Sequence, residues 1–154
     1  MRILLAVDDS PHSATAIKSL LERPWPEPST VRVLCVVQTH LPVSVANAGV
    51  GLHNYQALTD SLLKTAKEFV DLTAVKLEIL GLPIETCVRE GDPRTEIVEE
   101  AKKWGADLIV VGSHGRTGIA HWLLGSVAAH VVRHAPCSVE VARYPVTGAN
   151  SPPA

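Results

Sequence analysis

Asp107-Leu-Ile-Val-Val111, then Gly112-Ser-His-Gly115, then, after nine more residues, Gly125-Ser-Val127: this stretch decides the fold. An apolar run ends in small residues, and a helical pattern follows to His134. Strand, glycine-rich loop and helix start, in that order, make an anion site. The first amides of a helix lack intrahelical acceptors, and the helix dipole is positive at that end. Glycine also lets a ligand approach the backbone with no Cβ in the way. Local charge agrees. No Asp or Glu stands between Asp107 and Glu140, whereas Arg116, Arg133 and four histidines do. The whole chain carries a net charge of −2, so this carboxylate-free segment is where a phosphate is expected.

Outward from that stretch, strand-like and helical segments alternate. Ile3 to Val7 is a continuous apolar run, as in a strand covered on both faces. Ser10-Pro11 opens a helix, with Ser as N-cap, and Ala14, Ile17 and Leu21 give it an apolar face. Val31 to Val37 reads as the second strand, and a long connection runs from Gln38 to about Leu52. A helix from about Asn54 to Leu80 follows, with Leu58, Leu62, Ala66, Phe69, Thr73 and Leu77 in period and Gly81 as its stop. Ile84 to Arg89 is the third strand. Asp92-Pro93 opens a helix that ends at Gly105, with Ile97, Ala101 and Trp104 on its buried side. Leu108 to Val111, Gly125 to His134 and Ser138 to Ala142 are the fourth strand, last helix and fifth strand.

Such alternation predicts a three-layer α/β/α, Rossmann-like fold with a five-stranded parallel sheet. The predicted strand order is 3-2-1-4-5. Strands 1 and 4 are then neighbours whose helices leave to opposite faces, and the crevice between their C-terminal ends is where ligands bind. The turn Asp8–Ser10 and the loop Gly112–Gly125 both open into it.

The spacing G-x2-G-x9-G-[S/T], carried by Gly112, Gly115, Gly125 and Ser126, resembles the nucleotide-binding signature of the universal stress protein family. Ile3-Leu-Leu-Ala-Val-Asp-Asp-Ser10 is similar to that family's first strand and acidic turn, and His134-Ala-Pro-Cys-Ser-Val139 to the entry into its last strand. The resemblance covers nearly all of the chain. It implies the same strand order, ATP as ligand, and a homodimer formed through the last strands.

The candidate site is then Ala6, Val7, Asp8, Val36, Gly112, His114, Gly115, Gly125, Ser126 and Val127. Gly112 and Gly115 are expected to let the loop close over phosphates. The amides of Ser126 and Val127, with the Ser126 hydroxyl, are expected to donate to phosphate oxygens in charge-assisted bonds. Asp8 reads either as a turn or capping aspartate or, by the resemblance, as a contact to the adenosine part beside Ala6 and Val7. Val36 is either a plain strand residue or, by the resemblance, a backbone contact to adenine. Asp9 stands where the family often has Gly, and either crowds the crevice or helps hold Mg²⁺ between phosphates. His114 is a loop histidine or a nucleotide contact, and Arg116 a phosphate partner or a surface residue. His121, His130 and His134 fall at helical spacing without carboxylates, so no metal site is read there. Trp122 reads as packing.

No G-x-x-x-x-G-K-[ST] occurs, and the loop has no lysine to stabilise a transferring phosphoryl group. Binding with slow or negligible hydrolysis is therefore expected, in a stress-response or regulatory role. Two alternatives stay open: a dimeric interaction protein of the same fold that binds no nucleotide, and an α/β enzyme for another phosphorylated substrate.

At 154 residues the chain fits one domain, expected over residues 1–145 with a disordered, Pro-rich tail at 146–154. Its slightly acidic balance argues against a nucleic-acid partner. No signal-like or membrane-spanning run is evident, so a cytoplasmic location is expected. Cys35, Cys87 and Cys137 are far apart and form no C-x-x-C, and Cys35 and Cys87 are expected to be buried in strands.

Overall fold

A computed structural model describes residues 1–39, 52–115 and 124–143. The sheet has five parallel strands: β1 (Arg2–Ala6), β2 (Thr30–Val37), β3 (Ile84–Glu90), β4 (Leu108–Gly112) and β5 (Ser138–Ala142). Their spatial order is β3-β2-β1-β4-β5, the order expected from the sequence and its family resemblance. Ile3 faces Val31 on one side and Leu108 on the other. Val31 faces Ile84, and Leu108 faces Ser138.

The helices are α1 (Pro11–Leu21), α2 (Leu52–Leu77), α3 (Pro93–Trp104) and α4 (Ser126–His134). Strand alternation sorts the core into two layers. Ile3, Leu5, Val31 and Val33 point to the face covered by α1 and α2, with Leu20 and Val70. Leu4, Ala6, Leu34, Ile109 and Val111 point to the face covered by α3 and α4, with Ala101 and Val131. Ile3, Leu4 and Leu5 have no exposed surface, which is why β1 reads as an unbroken apolar run.

The helix caps follow their local chemistry. Ser10 caps α1, accepting from Ser13 N, and Asp92 caps α3, accepting from Arg94 N. Gly105 ends α3 at φ 70°, where its amide reaches the Ala101 and Lys102 carbonyls. Gly81 also takes a left-handed φ, but it closes a short 3₁₀ turn, Glu78–Leu80, into which the long helix has tightened.

Two expected helix faces are corrected. In α1 the buried residues are Ser13, Ala16 and Leu20, and Ala14 is exposed. The Ser13 hydroxyl is held by Asp8, which turns the helix by about one residue from the apolar pattern. In α2 the buried stripe is Ala66, Val70, Thr73 and Leu77, while Leu58 and Leu62 are exposed. Steps of four residues drift around a helix by about 40° each, so Leu58 lies roughly 80° from Ala66.

The α3 face of the sheet also holds a charged cluster. Glu100, 3% exposed, accepts from Arg32 Nη1 at 2.6 Å and Arg89 Nε at 2.9 Å. Arg32 also bonds to Glu85 and stacks over Trp104 at 4.4 Å. Burial pushes the Glu100 carboxyl up, but Arg89 and Arg32 outweigh it and leave the group below the usual carboxylate range. None of the three cysteines is in a disulfide; Cys35 is buried, whereas Cys87, on edge strand β3, is only half-buried. Among the described residues no helix is long and apolar enough to cross a membrane.

Candidate functional site

The ends of β1 and β4 lie side by side, with Ala6 paired to Val111. Past Ala6 the chain keeps one more sheet bond, from Val7 N to Leu34 O at 2.9 Å. It then turns at Asp8. Asp8 Oδ1 accepts from Ser10 N at 3.1 Å, from Ser13 Oγ at 2.6 Å and from the Ser10 hydroxyl. The Asp8 amide in turn donates to Ser13 Oγ at 2.8 Å. Asp8 is thus a turn aspartate through one oxygen. Its other oxygen, Oδ2, faces Gly115, where a Cβ would stand 3.1 Å away.

Gly112 is the last residue of β4, and its missing Cβ makes room for α1. An added Cβ would meet the His12 carbonyl carbon at 2.7 Å and oxygen at 2.8 Å. Ser113 follows, buried, with its amide bonded to Ala142 O at 2.8 Å. Its hydroxyl lies 3.2 Å from His12 Nδ1 and 3.2 Å from His114 Nδ1. The two imidazoles stand 5.0 Å apart, tilted by 46°. One hydroxyl hydrogen serves only one of them, so the other ring must present its N–H to the oxygen. That bond holds the His114 ring in place. His114 Nε2 is buried and has no partner among the described residues, an orphaned polar atom of the kind that asks for an explanation.

Gly125 brings the last helix back to this point. Its amide bonds to Ser113 O at 2.8 Å, and an added Cβ would stand 3.0 Å from both that oxygen and His114 Cα. The first helical bond of α4 runs from Ala129 N to Gly125 O. The amides of Ser126, Val127 and Ala128 come before it. Among the described residues no side chain caps them, and no acidic residue occupies the first turn. Ser126 is exposed, whereas the Val127 side chain packs toward the core, leaving its amide as the group it offers.

The structure therefore brings Val7, Asp8, Gly112, His114, Gly115, Gly125, Ser126 and Val127 to one switch point. Ala6 lines the α3–α4 side beneath it. Val36 sits on the next strand, two residues past Leu34, half-buried and paired with Arg89 of β3. Arg116, His121 and Trp122, most of the Gln38–Leu52 connection and the tail lie outside the described residues. Sequence reasoning missed His12, Ser13 and the bridging role of Ser113. The spacing Asp8-x-Ser10-x-x-Ser13 was a usable signal for the serines. His12 had none, because it meets Ser113 across 101 residues of chain.

The universal stress protein family profile matches residues 1–143. The universal stress protein MJ0531 of Methanocaldococcus jannaschii is 33% identical over 144 residues, covering 94% of this chain and 82% of that protein. The solved structure of MJ0577 from the same organism superposes with a TM-score of 0.81 at 26% identity, covering 95% of this chain and 97% of the other. A family protein from Arabidopsis thaliana, solved with AMP bound, has a TM-score of 0.62 at 21% identity, covering 95% and 93%. From its first strand to its last, this chain belongs to the universal stress protein family.

Proposed function

We propose that this chain binds an adenine nucleotide, ATP foremost, at the β1–β4 switch point, and that it serves as a regulatory protein of the stress-response type. The observation that carries this is the bare start of α4: three leading amides, no side-chain cap and no acid in the first turn. The AMP bound to a protein of the same fold supports the choice of ligand.

The residues present fit such a ligand. The amides of Ser126 and Val127 and the Ser126 hydroxyl donate to phosphate oxygens, aided by the helix dipole. Gly115 keeps the space beside Asp8 Oδ2 open, so that this oxygen accepts from the adenosine part, with Ala6, Val7 and the backbone at Val36 alongside. His114 Nε2 supplies a further polar contact from the loop. Asp9, exposed at the rim, is placed to share a Mg²⁺ with the phosphates. With no loop lysine, the site holds nucleotide rather than turning it over.

Isothermal titration with ATP, ADP and AMP tests this, together with mass spectrometry of small molecules released from the denatured protein. Micromolar or tighter binding is expected, weakened by Gly115→Val and Ser126→Ala. Equal affinity in both variants overturns the assignment. The family fold also supports a homodimer through β5, which ends the sheet on one side. Sedimentation showing only monomer at micromolar concentration overturns that part.

A further inference from the structure

The far end of α4 carries a second arrangement. His130 and His134 stand four residues apart, and their rings stack with centroids 4.1 Å apart and planes within 23°. His134 Nδ1 lies 2.9 Å from the His130 carbonyl oxygen. A carbonyl only accepts, so Nδ1 carries the proton and Nε2 keeps the lone pair. Metal-binding histidines are held in this manner: the far N–H goes to a backbone carbonyl and the other nitrogen is turned to the ion. His134 is exposed and His130 half-buried, so water and ions reach the pair. Its place at the helix C-terminus favours a cation, because the carbonyl end of the dipole is negative.

We propose that His130 and His134 form a two-imidazole chelate for a divalent transition-metal ion, Cu²⁺ most tightly and Ni²⁺ or Zn²⁺ less so, with water completing the coordination. Four-residue spacing on a helix is what places both histidines of H-E-x-x-H helices on one zinc. Here Val131 replaces that glutamate, so the pair has the ligands of such a helix without its general base. Imidazole suits all three metals, and Cu²⁺ binds tightest in the first-row order. The bound ion pins the last turn of α4, the helix whose first turn is the proposed phosphate site. One nine-residue helix then takes an anion at its start and a cation at its end. The chelate stands whether or not the nucleotide reading does.

Titration of the full chain with CuCl2, followed by calorimetry and by electron paramagnetic resonance, is the test. One Cu²⁺ per chain is expected, with hyperfine coupling from two imidazole nitrogens. His130→Gln and His134→Gln keep the length and polarity of the side chains. Each is expected to weaken binding on the order of 100-fold, because the second bond is intramolecular only in the intact pair. Circular dichroism confirms that both variants fold. The proposal is overturned if the unaltered chain shows no stoichiometric site, if either variant binds Cu²⁺ as tightly as the parent, or if His12→Gln or His121→Gln abolishes binding instead.

Discussion

Two helices begin at the same crevice and are finished in opposite ways. At the start of α1, Ser10 caps the helix, Asp8 Oδ1 gathers three donors, and Pro11 removes an amide that would otherwise need an acceptor. The chain satisfies that start itself. At the start of α4, glycine stands at the cap and, among the described residues, no side chain caps the helix. Backbone amides without acceptors are costly when kept from water and attractive to an anion when open. The difference marks α1 as the brace of the crevice and α4 as its binding edge. The glycines draw the same line: Gly112 yields space to His12 of α1, and Gly115 yields space beside Asp8.

The comparison can be sharpened first by a change that touches neither start. Glu100→Ala leaves Arg89 without this carboxylate and Arg32 with Glu85 alone, and it is expected to cost about 3 kcal/mol in chemical denaturation, with nucleotide affinity unchanged in the folded fraction. The pH dependence has a definite sign. The folded pKa of Glu100 is lowered, so its contribution is complete above the ordinary glutamate range and is lost as pH falls through the folded value. An acid titration of stability is expected to lose that component in Glu100→Gln.

Next comes Gly112→Val, which drives a side chain into the His12 backbone and separates the brace from β4. A destabilisation of roughly 2–3 kcal/mol is expected from overpacking, along with loss of nucleotide affinity. Unaltered stability would show that α1 does not lean on β4 as described. Ser10→Ala removes only the cap, for about 1 kcal/mol, and leaves a small decrease in melting temperature as its mark.

The smallest effect is the most discriminating. Ser126→Asp adds a carboxylate to the bare start of α4. It is expected to stabilise the fold by roughly 0.3–1 kcal/mol through the helix dipole, while repelling phosphate and weakening ATP binding. A variant that gains stability and keeps its affinity would break the contrast between the two helix starts.

Much of this was legible in the chain. Alternating periods gave the element types, Ser10-Pro11 and Asp92-Pro93 gave helix starts, and Gly81 and Gly105 gave stops. The faces of α1 and α2 were not legible to the residue, because apolar spacing leaves a choice of about one position that packing makes. The Asp8–Ser13 bond settled it for α1. Within the crevice, the glycines announced close approaches but not to what.

By itself the sequence determined the layers and the parallel sheet, since these follow from local period, cap chemistry and the handedness of βαβ connections; the strand order, and with it the switch point, came with the resemblance to the universal stress protein family. Only the tertiary structure decided that Ser113 bridges His12 and His114, that Gly112 makes room for α1 and that Glu100 joins Arg32 to Arg89. Those contacts hold residues together at distances set by how helices settle on the sheet, and no local rule of the chain encodes them.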